Sequence, residues 1–315
     1  MELRTIGKSG LRVSLVGLGC NNFGRRNDAE ASRLVVHKAL DVGITFFDTA
    51  DVYGGDIGKS EAFLGRALGP RRKDIVLATK GGLPLSPDSR LHGGSRQYIV
   101  GAVEASLKQL GTDWIDLYQL HRPDPFTPME ETVRAFDDLV RQGKVRYVGC
   151  SNVPAWKVTE AQWISRQMGL ERFISIQDEY NLLLRDPERE LLPMAEAYGI
   201  GLLPYYPLAS GLLTGKYRRD EPLPADGRLT LHADRYGDRF INDKNWAIVT
   251  GLQAFCEARG KSLLELAFSW LAANRNVSSI IAGATKPEQI EANAAAAGWS
   301  LTADELKEID GITAQ

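Results

Sequence analysis

Short apolar runs alternate with helix-patterned stretches along almost the whole chain, and each run ends in polar residues. Ile44–Phe47 leads to Asp48 and Tyr53, Ile75–Thr79 to Lys80, Ile115–Leu120 to His121, Val145–Gly149 to Ser151 and Asn152, Phe173–Ile176 to Gln177, and Ile200–Leu203 to Tyr205 and Tyr206. Helix patterns follow at Ser60–Leu68, Ser95–Leu110, Pro128–Gln142, Pro154–Met168 and Asp186–Tyr198, with Gly69-Pro70, Gly111, Gly143, Gly169 and Gly199 as stop signals. Strand–helix alternation of this kind predicts a parallel sheet. In a closed barrel the carboxyl ends of all strands share one face, so the polar residues form one pocket.

The fold class read from this pattern is α/β, a (β/α)8 TIM barrel in a single domain over 1–315, with an N-terminal hairpin and extra helices near the C-terminus. The hairpin is Leu3–Val13, turning at Gly7-Lys8-Ser9-Gly10, and Ser14–Gly19 is the first barrel strand. Asp28–Val42 is a helix capped by Asp28, with Leu34, Val35, Ala39 and Val42 on its apolar face. After Tyr205-Tyr206-Pro207 an irregular stretch runs to Asn242. Helices Asp243–Arg259 and Ser262–Asn274 follow, then a last strand Val277–Ala282, a helix from Pro287, and a terminal helix with Thr302 and Glu305 in a capping box. A long ordered loop inside a compact domain is usually functional.

With 38 basic against 40 acidic residues, the chain carries no electrostatic footprint for nucleic acid or an anionic membrane, and neither is expected as a partner. No run approaches the ~20 apolar residues needed to cross a bilayer, and Met1–Ile6 lacks a signal-peptide pattern, so a cytoplasmic location is expected. Cys20, Cys150 and Cys256 have no CxxC spacing and read as buried hydrophobes, although oxidation of Cys20 or Cys150 beside the pocket would be inhibitory. Trp156, Trp163 and Trp270 read as packing residues. No metal is expected: His37, His92 and His232 lack partners at ligand spacing.

Asp48, Tyr53, Lys80 and His121 suit carbonyl reduction. A tyrosine, with an ordinary pKa of about 10, transfers a proton efficiently only beside a cation in a shielded site. Lys80 is the cation, Asp48 holds it, and His121 polarises a carbonyl. Lys80 at a strand end also admits a Schiff-base aldolase, provided its pKa is lowered, which Asp48 opposes. Asp51 reads as a helix N-cap or turn residue, and Arg122 either binds a substrate anion or pairs with Asp124. Gly17–Asn22 fails the GxGxxG test at Asn22, which disfavours a Rossmann domain.

Phe46–Gly55 (FFDTADVYGG), Ile75–Gly82 (IVLATKGG), Asp113–Pro125 (DWIDLYQLHRPDP), Arg146–Asn152 (RYVGCSN), Ile176–Leu183 (IQDEYNLL) and Tyr206–Tyr217 (YPLASGLLTGKY) together resemble the aldo-keto reductase superfamily. His121–Ala135 is similar to the branch holding bacterial reductases and the beta subunits of voltage-gated potassium channels. The resemblance implies a catalytic quartet of Asp48, Tyr53, Lys80 and His121, with Tyr53 as proton donor, reducing a small-molecule aldehyde or ketone. It further implies that Ser151, Asn152 and Gln177 hold the nicotinamide carboxamide and that Tyr205 stacks on the ring. Gly19 and Cys20 would line the pocket, Pro207, Leu208, Ser210 and Lys216 would follow the pyrophosphate, and Arg228, Gly283, Thr285, Gln289 and Asn293 would receive the adenosine half. A histidine at 121, where the channel subunits typically have another residue, favours a working reductase over a nucleotide-sensing regulator. Ala292 stands where the family often has Glu, and Arg228, Lys286 and Lys216 favour NADPH over NADH. Specificity in such barrels lives on loops, here Leu83–Gly94, Arg122–Thr127 and Arg218–Asn242, where Tyr236 and Phe240 either shape the substrate mouth or pack in the core or a lid; substrate identity and oligomeric state stay open.

Overall fold

The computed structural model describes residues 1–84, 92–219, 221–225 and 227–314, and of Arg235 and Tyr236 the backbone only. Strands β1 (Leu3–Thr5) and β2 (Arg12–Ser14) form the antiparallel hairpin. Its turn lies so close to the barrel that a Cβ on Gly7 would strike the Gly199 carbonyl and the Gly201 nitrogen, and Lys8 N donates to Gly199 O at 2.8 Å. The hairpin closes the amino-terminal end of the barrel.

The barrel and its helices follow in chain order as β3 (Val16–Gly19), α1 (Ala29–Asp41), β4 (Phe46–Asp48), α2 (Lys59–Leu68), β5 (Val76–Gly81), α3 (Arg96–Leu110), β6 (Ile115–Leu120), α4 (Met129–Arg141), β7 (Val145–Ser151), α5 (Ala155–Met168), β8 (Phe173–Glu179), α6 (Leu191–Tyr198) and β9 (Gly201–Tyr205). After these come α7 (Arg228–Leu231), α8 (Ala233–Phe240), α9 (Asp243–Glu257), α10 (Leu263–Ala273), β10 (Ile280–Gly283), α11 (Pro287–Ala296) and α12 (Ala303–Thr313). Strands β3 to β10 pair in parallel in sequence order, and β10 closes on β3. The chain is a (β/α)8 TIM barrel with an N-terminal hairpin, as the alternation predicts. Among the described residues no helix is long and apolar enough to cross a membrane.

Local physics explains most boundaries. Asp28 caps α1, Ser95 caps α3, and Thr302 and Glu305 form the expected capping box. Gly111, Gly169 and Gly199 end their helices in the left-handed region. Five expectations change. The buried face of α1 is Ser32, Val35, Val36 and Ala39, a strict i, i+3, i+4, i+7 set that leaves Leu34 44% exposed. The helix expected over Asp186–Tyr198 is a 3-10 turn, Asp186–Glu188, followed by α6: Pro193 has no N–H for the Arg189 carbonyl, so the α-helix cannot extend back. Val277 makes a single bridge to Leu202 before the chain crosses to β3, which shortens the last strand. The stretch before Asn242 is not wholly irregular but carries α7 and α8. Trp270 is buried, whereas Trp156 and Trp163 project from α5 into solvent.

Candidate active site

Strand alternation builds the site. Phe46, Ala78, Leu117, Leu203 and Ile281 point inward and join Ile6 and Val13 of the hairpin in an apolar floor. Two residues on, along the same inner face, stand Asp48, Lys80, Gln119 and Tyr205. Period two thus converts an apolar layer into a polar one at the carboxyl ends of the strands. Gln119 belongs to this layer, and only its register two residues after Leu117 would have exposed it in the sequence.

Lys80 is 0% exposed, and its Nζ donates to Asp48 Oδ2 at 2.6 Å and to Thr49 O at 2.8 Å. The other Asp48 oxygen accepts from Gln177 Nε2 at 2.9 Å and Gln119 Nε2 at 3.3 Å. Burial, the largest influence on Lys80, favours its neutral form, but Asp48 and then Tyr53 outweigh it and the pKa rises above the usual lysine value. A buried, charged lysine with its protons engaged is not a Schiff-base nucleophile, so the aldolase reading has no support here.

Lys80 Nζ lies 5.1 Å from the centre of the half-buried Tyr53 ring, and His121 meets that ring edge-on at 5.7 Å between centroids. Burial raises the Tyr53 pKa more than Lys80 lowers it, which keeps the phenol protonated. His121 is pushed well below the ordinary histidine value, first by burial, then by Lys80 and Arg122. It is therefore neutral, and its buried Nδ1 makes no hydrogen bond. The quartet named from the sequence converges on one point above the floor.

Around it lie the residues expected to hold a nicotinamide. Asn152, at φ +57°, donates to His121 O and Ser151 Oγ and accepts from Tyr205 Oη at 2.7 Å. Gln177 directs its amide nitrogen at Asp48. Gly19 pairs with Asp48 on one side and Gly283 on the other. Cys20 is wholly buried, with Sγ toward Leu18 O and its N–H donating to Asp48 O at 2.8 Å.

Asn152, Tyr206, Ala209 and Ser210 have positive φ, and each is a residue expected to contact the cofactor or next to one. Such strain costs about 1–3 kcal/mol per residue and concentrates at binding sites. Pro207 is buried, Leu208 half-buried, and Ser210 Oγ is buried without a hydrogen bond. Lys216 is exposed with Nζ over the Tyr217 ring, and Arg228 lies over the Tyr206 ring at 5.0 Å. At the end of β10, Thr285 N donates to Gln289 Oε1 at 2.7 Å, exposed Gly283 faces Asn21 and Asn22, and Asn293 is buried on α11.

Other expectations are corrected. Burial pushes the thiols of Cys20 and Cys150 up and both are inaccessible, so neither is an oxidation-sensitive group. Asp124 accepts from Gly94 N, Phe126 N and Thr127 Oγ1, and among the described residues Arg122 has no ion pair. Exposed Arg122 instead sits where its charge is felt by His121, Asp178 and Tyr205, at the mouth of the site. Of the loops expected to set specificity, residues 85–91, Asp220, Asp226 and the Tyr236 side chain lie outside the described residues, and Phe240 is buried.

The model of the Aldo/keto reductase family matches residues 15–314. A probable voltage-gated potassium channel subunit beta of Oryza sativa subsp. japonica is 40% identical over 93% of this chain and 90% of its own length. The L-glyceraldehyde 3-phosphate reductase of Escherichia coli (strain K12) is 35% identical over 98% and 92%, and an uncharacterized oxidoreductase of Bacillus subtilis (strain 168) is 35% identical over 99% and 96%. The family generally uses NAD(P)H, and its oxidoreductase relatives place this chain in a general oxidoreductase role. Barrel, pocket and a match over nearly the full length lead to one assignment: the chain belongs to the aldo/keto reductase family.

Proposed function

We propose that the protein reduces an aldehyde or ketone to an alcohol, with NADPH preferred over NADH and Tyr53 as the proton donor. One observation carries the reading: a protonated Tyr53, a charged Lys80 and a neutral His121 meet above one apolar floor. The residues fit a dinucleotide, because a strained loop with an unbonded, buried Ser210 Oγ begins one residue beyond the half-buried Tyr205 ring. Tyr205, Ser151, Asn152 and Gln177 would hold the nicotinamide, the 206–216 loop the pyrophosphate, and Arg228, Gly283, Thr285, Gln289 and Asn293 the adenosine half.

When bound, the cofactor supplies the hydride that adds to the carbonyl carbon. Neutral His121 donates a hydrogen bond to the carbonyl oxygen and polarises it without giving up a proton. Tyr53 then transfers its phenolic proton to that oxygen, and Lys80, held charged by Asp48, stabilises the phenolate left behind. The floor and the hairpin exclude water from below, which strengthens each of these interactions. Arg122 at the mouth extends the accepted substrates to anionic carbonyl compounds, the charge class of the phosphorylated aldehyde in the name of one relative.

The test is NADPH oxidation against 4-nitrobenzaldehyde by wild type and Tyr53→Phe. Turnover in wild type and a loss of about 10³-fold in kcat in the variant, at unchanged NADPH affinity, is expected. Retained turnover in Tyr53→Phe refutes the assignment of the acid. Tight NADPH binding by wild type with no reduction of any aldehyde favours the nucleotide-responsive regulator instead, the reading that similarity to a probable channel subunit keeps in play.

A further inference from the structure

Behind the quartet lies a second polar cluster that the reaction does not use. Asp51 N donates to Lys80 O, which continues the pairing of β4 and β5 beyond the strand ends. Its carboxyl group is buried and faces Glu61 on α2, Lys80 on β5, Tyr98 on α3, Tyr118 on β6 and Tyr53 on its own loop. Three carboxyl groups, those of Asp48, Asp51 and Glu61, thus share one ammonium. Lys80 is committed to Asp48 and Thr49 O, while Glu61 accepts from Thr79 Oγ1 at 2.6 Å.

The hydrogen bonds around Tyr98 are decisive. Its hydroxyl oxygen is 3.0 Å from Asp51 Oδ2 and 3.1 Å from Leu83 O, and it accepts from Gly82 N at 3.4 Å. A phenol has one proton to donate and two lone pairs to accept with. Both oxygen contacts are satisfied together only when Asp51 carries a proton: Asp51 donates to Tyr98, Tyr98 donates to Leu83 O, and Gly82 N fills the second lone pair. Were Asp51 ionised, the Tyr98 hydroxyl would donate to it and leave the Leu83 carbonyl without its donor. Leu83 is the first residue of a loop already expected to contact substrate.

We propose that Asp51 is a positioning residue that acts as a neutral carboxylic acid, clamping the root of the substrate loop at Leu83 to the strand end that carries Lys80. Loss of its proton undoes the clamp and adds a negative charge beside Tyr53, which makes the phenol a more reluctant acid. Burial and then Glu61 raise its pKa to about 7, within the range where the enzyme would meet the change. The effect on turnover rests on the reductase reading; the protonation of Asp51 does not.

Two measurements separate these. Infrared difference spectra of wild type should show the carbonyl stretch of a protonated carboxylic acid at about pH 6 that disappears by about pH 8.5, is retained in Glu61→Gln and is absent from Asp51→Asn. No such band in wild type and Glu61→Gln overturns the proposal, whether or not any aldehyde is reduced and even if Asp51→Asn fails to fold. In NADPH-dependent reduction, wild-type kcat/KM should fall as pH rises through about 7. Asp51→Asn, whose amide nitrogen can donate to Tyr98, should keep wild-type activity within about threefold at low pH and lose that step. A pH profile of Asp51→Asn superimposable on wild type also overturns it. Tyr98→Phe should raise KM more than it lowers kcat, because it breaks the clamp without adding charge beside Tyr53; a fall confined to kcat counts against a loop role.

Discussion

Replacing Lys80 by methionine tests how the centre is held together. The ammonium is fully buried at 2.6 Å from Asp48 Oδ2, where an effective dielectric of about 20 gives roughly 6 kcal/mol of attraction. Desolvating both ions consumes much of that, so the intact pair contributes little net stability. Removing one partner is different. In Lys80→Met, Asp48 keeps only the Gln119 and Gln177 amides, and an uncompensated buried charge costs about 3–5 kcal/mol. With a urea slope of about 3 kcal/mol per molar, the midpoint of cofactor-free protein at neutral pH should fall by about 1–1.7 M. The double variant Lys80→Met with Asp48→Asn removes both charges and should recover more than half of the loss, a strongly non-additive cycle. A midpoint shift below about 0.3 M in the single variant, or additive effects in the double, would refute the argument that charge compensation holds the site.

Other outcomes are specific to single residues. Arg228→Ala should weaken NADPH binding about tenfold in fluorescence titrations and leave NADH binding nearly unchanged, since only the former carries a 2′-phosphate; equal losses would remove Arg228 from that role. Arg122→Met should lower kcat/KM for 4-carboxybenzaldehyde about tenfold relative to 4-nitrobenzaldehyde, and parallel losses on both would argue against an anion contact. Asp51 also links stability to pH. Its folded pKa of about 7 exceeds the unfolded value of 3.8, so the folded state binds a proton that the unfolded state has released, and stability should fall as pH rises between those values. The contribution is at most about 4 kcal/mol. Asp51→Asn should flatten that part of the stability profile, and an unchanged slope in chemical denaturation would show that another group dominates it.

Much of the site was legible because its residues sit at strand ends, where hydrophobic periodicity stops. Asp48, Lys80 and His121 could be read this way, and Tyr53 followed from its flanks. Gln119 was hidden because it lies inside an apolar run, and which face of a strand it occupies depends on register. Asp51 read as a helix N-cap or turn residue for a similar reason: its depth comes from α2 and α3 covering it, which no local pattern encodes. The exposed Trp156 and Trp163 and the shifted face of α1 show the same limit, because helical periodicity states that a face exists but not always which residues it buries.

By itself the chain determined its barrel class, the order of its elements, their caps and stops, and the chemical character of the pocket, because propensity, periodicity and capping act over a few residues. Only the tertiary structure decided that Gln119 and Gln177 hold the second oxygen of Asp48, that His121 and Tyr53 are both uncharged, and that Asp51 is buried against Tyr98. Those properties depend on burial and on charges brought together from distant strands. Burial and electrostatic interaction are set by closure of the sheet, and no segment carries them alone.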